Sequence, residues 1–119
     1  MSTTSEQSDL ELPLQAIVER LRAVSPVEQV ILFGSRARGD HDEDSDWDLC
    51  VLLSDDIPAG IYTPASMWSA VRDLGATVQI VPMRRSAFEE KRSDVNALAY
   101  DVAHEGIVLF NGRLSEPRG

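Results

Sequence analysis

A chain of 119 residues is the size of one compact domain, and 43% hydrophobic content supplies a core for it. A net charge of −9 argues against broad binding to nucleic-acid backbones, which requires basic residues to neutralise phosphate. No run approaches the about 18 apolar residues of a membrane span, and the single cysteine, Cys50, excludes an internal disulfide and a cysteine-cluster zinc site.

Met1 to Asp9 is polar and acidic and lacks the basic and apolar regions of a signal peptide. It reads as a disordered tail (residues 1–9), which with the cysteine count suits the cytoplasm. From Leu10 to Val24 the apolar positions Leu10, Leu14, Ile17, Val18, Leu21 and Val24 recur every three or four residues, the stripe of an amphipathic helix. Pro13 suits its first turn and Pro26 lies just beyond its end. Val27 to Phe33 is a strand with a continuous apolar run, Val30 to Phe33, that ends in Gly34-Ser35. Arg36 to Asp44 is a polar loop. Asp46 to Leu53 is a second strand, in which Asp46 and Asp48 point to one face and Trp47, Leu49, Val51 and Leu53 to the other.

Asp55 to Pro64 is a loop containing Pro58 and Gly60. Ala65 to Leu74 is a short helix with Gly75 as its C-terminal cap. Val78 to Val81 is a third strand, ended by Pro82. Ser86 to Lys91 is a helical turn anchored by Phe88, and Asp94 to Glu105 a helix capped by Ser93 or Asp94 and stopped by Gly106. Ile107 to Phe110 is a short extended segment before an Asn111-Gly112 turn. Residues 113–119 read as a frayed tail, which leaves residues 10–112 as one domain. Helices alternating with strands imply a single layered α/β domain.

Two features carry chemistry. A strand ending in Gly34-Ser35 can present backbone amides and a hydroxyl to a phosphate, because glycine permits close approach. It is not the P-loop, which needs a longer glycine loop and a Lys-Ser/Thr pair. Asp46 and Asp48, on one face of a strand, repel each other. A divalent cation relieves that repulsion, and magnesium favours carboxylate oxygens completed by substrate phosphates. The surroundings are acidic throughout, since Asp40, Asp42, Glu43, Asp44, Asp46 and Asp48 fall within nine residues.

Taken together, Phe33-Gly34-Ser35-Arg36-Ala37-Arg38-Gly39-Asp40 followed by Ser45-Asp46-Trp47-Asp48-Leu49 resembles the signature of the nucleotidyltransferase superfamily related to DNA polymerase beta. More narrowly it looks like the minimal nucleotidyltransferases, typically encoded beside a HEPN-domain toxin. The resemblance runs from about Leu14 to Asn111. It implies the polymerase-beta-like fold, α/β (α+β) with a mixed sheet flanked by helices. Gly34 and Ser35 would hold the terminal phosphates of ATP. Arg36 and Arg38 would lie near the triphosphate, Arg36 being the better placed, and Asp46 and Asp48 would coordinate two Mg2+ ions. The implied reaction is transfer of AMP to a hydroxyl, and in the toxin–antitoxin branch to a tyrosine of the HEPN toxin, silencing it.

The pattern breaks at the third strand. Active members carry a further carboxylate there, whereas this strand reads Ala76-Thr77-Val78-Gln79-Ile80-Val81-Pro82. By alternation Thr77, Gln79 and Val81 share one face, and the resemblance implies Gln79 as the matching position, with Thr77 second. Glutamine can offer a carbonyl oxygen but cannot act as a base. Asp73 and Glu89 are the nearest acids in sequence. Two readings therefore stand: an enzyme with another group or solvent taking the proton, or an antitoxin with weakened chemistry that acts by binding its partner. Transfer to a small molecule is a third, disfavoured because there is no additional domain to enclose one.

Other residues have ordinary explanations. His41 is read as an exposed loop residue and His104 as a late-helix cation suited to the dipole. Cys50 reads as a buried thiol and Trp47 as core. Trp68 and Met67 would pack their helix on the sheet, and Tyr62 lies in the loop before it. Arg84, Arg85, Lys91 and Arg92 form a small basic cluster, read either as solvated or as facing an acidic partner or the nucleotide.

Overall fold

The computed structural model describes residues 12–40, 45–75 and 77–112. The tails at 1–9 and 113–119, and with them His41 and the acids Asp42, Glu43 and Asp44, lie outside the described residues. In chain order come helix α1 (Leu12–Val24), strand β1 (Val27–Phe33), a helical turn α2 (Ser35–Arg38), strand β2 (Trp47–Leu53) and helix α3 (Pro64–Ser69). A 3-10 turn (Arg72–Leu74) leads to strand β3 (Val78–Arg84), helices α4 (Arg85–Lys91) and α5 (Leu98–Glu105), and strand β4 (Ile107–Asn111).

The strands form one mixed sheet in the order β3-β2-β1-β4. Strand β1 is antiparallel to both β2 and β4, and β2 is parallel to β3. Both faces are covered. On one, Leu14, Ile17, Val18 and Leu21 of α1, with Met67 and Val71, pack against Val30, Leu32, Leu49, Val51, Leu53, Val78 and Ile80. On the other, Phe88 of α4 and Ala99 and Val102 of α5 cover Ile31, Cys50 and Leu52. Burying each large aliphatic side chain contributes about 1.5–3 kcal/mol before entropy is counted, and β1 and β2, apolar on both faces at their centres, form the middle of the core. The fold is the mixed sheet flanked by helices that the sequence implies.

Strand β2 begins at Trp47 rather than Asp46, and a helical turn (Ser35–Arg38) opens the expected Arg36–Asp44 loop; three larger differences from the sequence reading have local physical causes. Pro82 does not end β3, which continues to Arg84. Strand β3 is at the sheet edge, where a residue without an N–H is tolerated. The helix expected at Ala65–Leu74 is broken. Helix α3 ends at Ser69 and the chain tightens into the 3-10 turn, while Thr63 and Ser66 close a capping box at its start. The last helix begins at Leu98 rather than Asp94. Asp94 instead accepts from the Asn96 amide at 3.0 Å, and its own carbonyl accepts from the Ala97 amide, holding a turn before the helix.

Candidate active site

Pairing of the three central strands assembles the site at one end of the sheet. Phe33, the last residue of β1, is in register with Asp48 on β2. Asp48 is in turn in register with Gln79 on β3. A hydrogen bond from the Trp47 amide to the Thr77 carbonyl, 2.9 Å, fixes where β2 and β3 begin together. Phe33, Asp48 and Gln79 therefore lie side by side across the strands, with Gly34 immediately after Phe33.

Gly34 has φ +80° and ψ −160°, a region in essence reserved for glycine. Space demands glycine as well. A Cβ at this position would collide with Asp48 Oδ2 and stand 3.2 and 3.3 Å from Asp48 Cγ and Cβ. The chain then turns at once into α2, whose Ala37 and Arg38 amides both donate to the Gly34 carbonyl at 3.0 Å. The turn closes at Gly39, φ +88°. The glycine, the opening of the helical turn and the Asp48 carboxylate thus occupy one corner.

Asp46 is exposed and Asp48 half-buried. Burial, and then the negative charge of Asp46, push the Asp48 carboxyl above the usual carboxylate range, while the positive charge of Arg38 acts in the opposite direction. A carboxylate disfavoured for those two reasons is one that a cation stabilises. This donor set, two carboxylates with the Gln79 carbonyl in the neighbouring register position, fits a hard cation that takes its remaining ligands from water or phosphate. Among the described residues no group of three or more His, Cys, Asp or Glu side chains gathers at one point.

The two arginines are placed differently from each other. Arg36 lies over the Trp47 ring, 3.9 Å from its centroid, and its Nε donates to the Ser45 carbonyl at 2.9 Å. It braces the start of β2, which begins at Trp47 and so just after Asp46, from the face opposite Asp48. Arg38 is the one whose charge is felt at Asp48. It is also paired with Asp40 at 3.3 Å and with Glu105 at 3.2 Å. The sequence favoured Arg36 over Arg38 for a place near the triphosphate; the structure sets Arg36 against Trp47 and Ser45, and Arg38 within electrostatic reach of Asp48.

Glu105 was not found from the sequence, although a signal was there: an acid in the last turn of a helix opposes the macrodipole and calls for a compensating cation. Asp73 and Glu89, the acids nearest β3 in sequence, each form an ion pair outside this corner. Asp73 pairs with Arg20 of α1 at 2.8 Å, which holds its carboxyl below the usual range, and Glu89 pairs with Arg92 on its own helix at 3.5 Å.

The remaining residues fall into place as structure. Burial pushes the Cys50 thiol up to about 12, so it is no nucleophile at neutral pH. The His104 ring stacks on Tyr100, with Nδ1 2.8 Å from the Tyr100 carbonyl. Met67 packs α3 on the sheet, but Trp68 is 42% exposed. Three members of the basic cluster turn towards their own chain: Arg84 donates to the Asp55 and Ile57 carbonyls, Arg85 pairs with Glu28 and Arg92 with Glu89, while Lys91 is exposed.

The sequence model of the family described as Polymerase beta, Nucleotidyltransferase matches residues 15–113. Among solved structures, one similar chain is a candidate nucleotidyltransferase from Sulfolobus solfataricus, at 20% identity and TM-score 0.58. The match covers 95% of this chain and 90% of that one. A toxin–antitoxin with AMP-PNP is similar at 26% identity and TM-score 0.55, over 82% and 72% of the two chains. A mutant of the toxin–antitoxin MntA-HpeT is similar at 25% identity and TM-score 0.52, over 82% and 71%. Comparison with curated protein sequences gives no significant match.

Proposed function

The chain belongs to the polymerase beta nucleotidyltransferase family, and from that premise we propose that it is a magnesium-dependent nucleotidyltransferase moving AMP from ATP to a hydroxyl of a partner protein. The partner we propose is a HEPN-domain toxin, with this chain as its antitoxin in the cytoplasm. The observation that carries the reading is the corner itself: Gly34, held at a glycine-only conformation, lies against the carboxylate of Asp48. A phosphate-accepting turn and a cation-attracting pair meet there. Similarity to toxin–antitoxin structures, one of them with AMP-PNP, supports the choice of nucleotide and partner.

In this reading Gly34 and Ser35 receive the terminal phosphates, and Arg38 neutralises part of their charge. Asp46 and Asp48 hold the magnesium, which when bound supplies charge stabilisation for the triphosphate. The acceptor oxygen forms a bond to the α-phosphorus, the bond to the pyrophosphate oxygen breaks, and the hydroxyl proton leaves to water. Gln79 orients through its amide without accepting that proton.

Gln79 also favours a second reading, because it sits in register with Asp48 where a carboxylate would complete the site. In that reading the chain keeps the nucleotide pocket and neutralises its partner by binding alone. One experiment separates them: incubation with α-labelled ATP, magnesium and a HEPN-domain partner. Label on the partner that falls to background in Asp46→Asn and Asp48→Asn variants supports the enzyme. A tight complex without label, unaffected by either substitution, supports binding alone.

A further inference from the structure

We propose that Glu105 is the positioning residue for Arg38, fixing its guanidinium at the Gly34 corner, where the triphosphate is received. The inference rests on the nucleotide-transfer reading of the same site. Arg38 side-chain exposure is 47%, so an untethered Arg38 would sample many rotamers. Two carboxylates restrict it. Asp40 Oδ2 meets Nε at 3.3 Å, and Glu105 meets Nη1 with Oε2 at 3.2 Å and Oε1 at 3.5 Å. Both pairs are made through nitrogens other than Nη2, so the guanidinium can bond an anion while both stay in place.

The two tethers are unequal. Asp40 is two residues away on the same turn and 63% exposed, so it moves with the arginine. Glu105 comes from the far end of the chain and is only 28% exposed. Its backbone is pinned by the next residue. Gly106 packs so closely on β1 that a Cβ there would collide with the Val102 carbonyl and Ile31 Cγ2. Ile107 then pairs with Leu32, which places Glu105 beside the Phe33-Gly34 end of β1. A glutamate in the last helical turn is electrostatically misplaced by itself. Its ion pair with Arg38 resolves that, and couples α5 to the site.

The test is calorimetric titration with Mg–AMP-PNP, and with AMP as the comparator lacking β- and γ-phosphates. Wild type, Glu105→Gln, Glu105→Asp, Arg38→Gln and the double variant Arg38→Gln/Glu105→Gln are compared, each with its thermal unfolding. Glu105→Gln is expected to weaken AMP-PNP binding about two- to fivefold, the scale of a partly exposed ion pair. AMP binding stays unchanged, Glu105→Asp binds AMP-PNP more tightly than Glu105→Gln, and Glu105→Gln adds no loss to Arg38→Gln. Wild-type affinity in Glu105→Gln, an equal loss for AMP, or the same loss without Arg38 would each overturn the proposal. A wild-type chain that binds no AMP-PNP overturns the nucleotide reading itself. Binding without transfer leaves the positioning role standing.

Discussion

On its β1 side Asp48 faces backbone: Gly34 approaches so closely that no side chain fits between them, and the helical turn α2 begins at once. On its β3 side it faces Gln79, an exposed amide on an edge strand. The first flank is shaped by steric demand and tolerates one residue. The second tolerates many, and here carries a neutral group where related chemistry calls for a charged one. In the proposed reading the phosphate half of the site and the proton half are thus separable, and substitutions can address them one at a time.

The sharpest intervention adds the absent charge. Gln79→Asp places a third carboxylate in register with Asp48. With magnesium, labelled ATP and partner, transfer is expected to rise by about 10²-fold, the lower end of what a positioned general base contributes. An unchanged rate in a variant that still binds AMP-PNP would show that the β3 flank does not limit the chemistry. Gly34→Ala breaks the other flank. It forces a side chain into the glycine-only region and into Asp48, and is expected to destabilise by about 1–3 kcal/mol in denaturant unfolding. AMP-PNP binding should fall with it. Adding Asp48→Ala should recover the part due to collision and leave the part due to backbone conformation.

Arg36→Ala is expected to be milder and different in kind. Loss of the stack on Trp47 and of the bond to the Ser45 carbonyl should cost about 0.5–2 kcal/mol in stability. The affinity of the folded variant for AMP-PNP should change less than in Arg38→Gln. A larger affinity loss at Arg36 than at Arg38 would reverse the roles their geometry gives them.

Much of this was legible in the sequence because it is local or periodic. The apolar runs at Val30–Phe33 and Leu49–Leu53 mark buried strands, alternation put Asp46 and Asp48 on one face and Thr77 and Gln79 on one face of the third strand, and the family resemblance ranked Gln79 ahead of Thr77. In the pairing register Asp48 meets Gln79. What stayed hidden depends on tertiary context. Pro82 ends a strand by local rule, yet an edge position allows it to continue. Arg36 and Arg38 are indistinguishable by composition. Only the fold turns one onto Trp47 and brings the other to Glu105, 67 residues away.

The smallest effect concerns the carboxylate between the flanks. Burial and the neighbouring charge of Asp46 raise the Asp48 pKa above its unfolded value. The folded chain therefore holds this proton more tightly than the unfolded chain, and stability from this group is lost as pH rises through the raised value. Without metal, Asp48→Asn removes a disfavoured charge and is expected to raise the unfolding midpoint slightly at neutral pH. The advantage should shrink as pH falls through the raised Asp48 pKa and vanish below the ordinary carboxylate range, where both states of the wild type are protonated. Magnesium should invert the order at neutral pH, because an ion that binds only the folded wild type stabilises it by mass action. A variant less stable than wild type in the absence of metal would mean that the corner satisfies the Asp48 charge by itself. Greater stability without metal, reversed by magnesium, is the signature of a carboxylate kept at a cost to the fold for the sake of a cation.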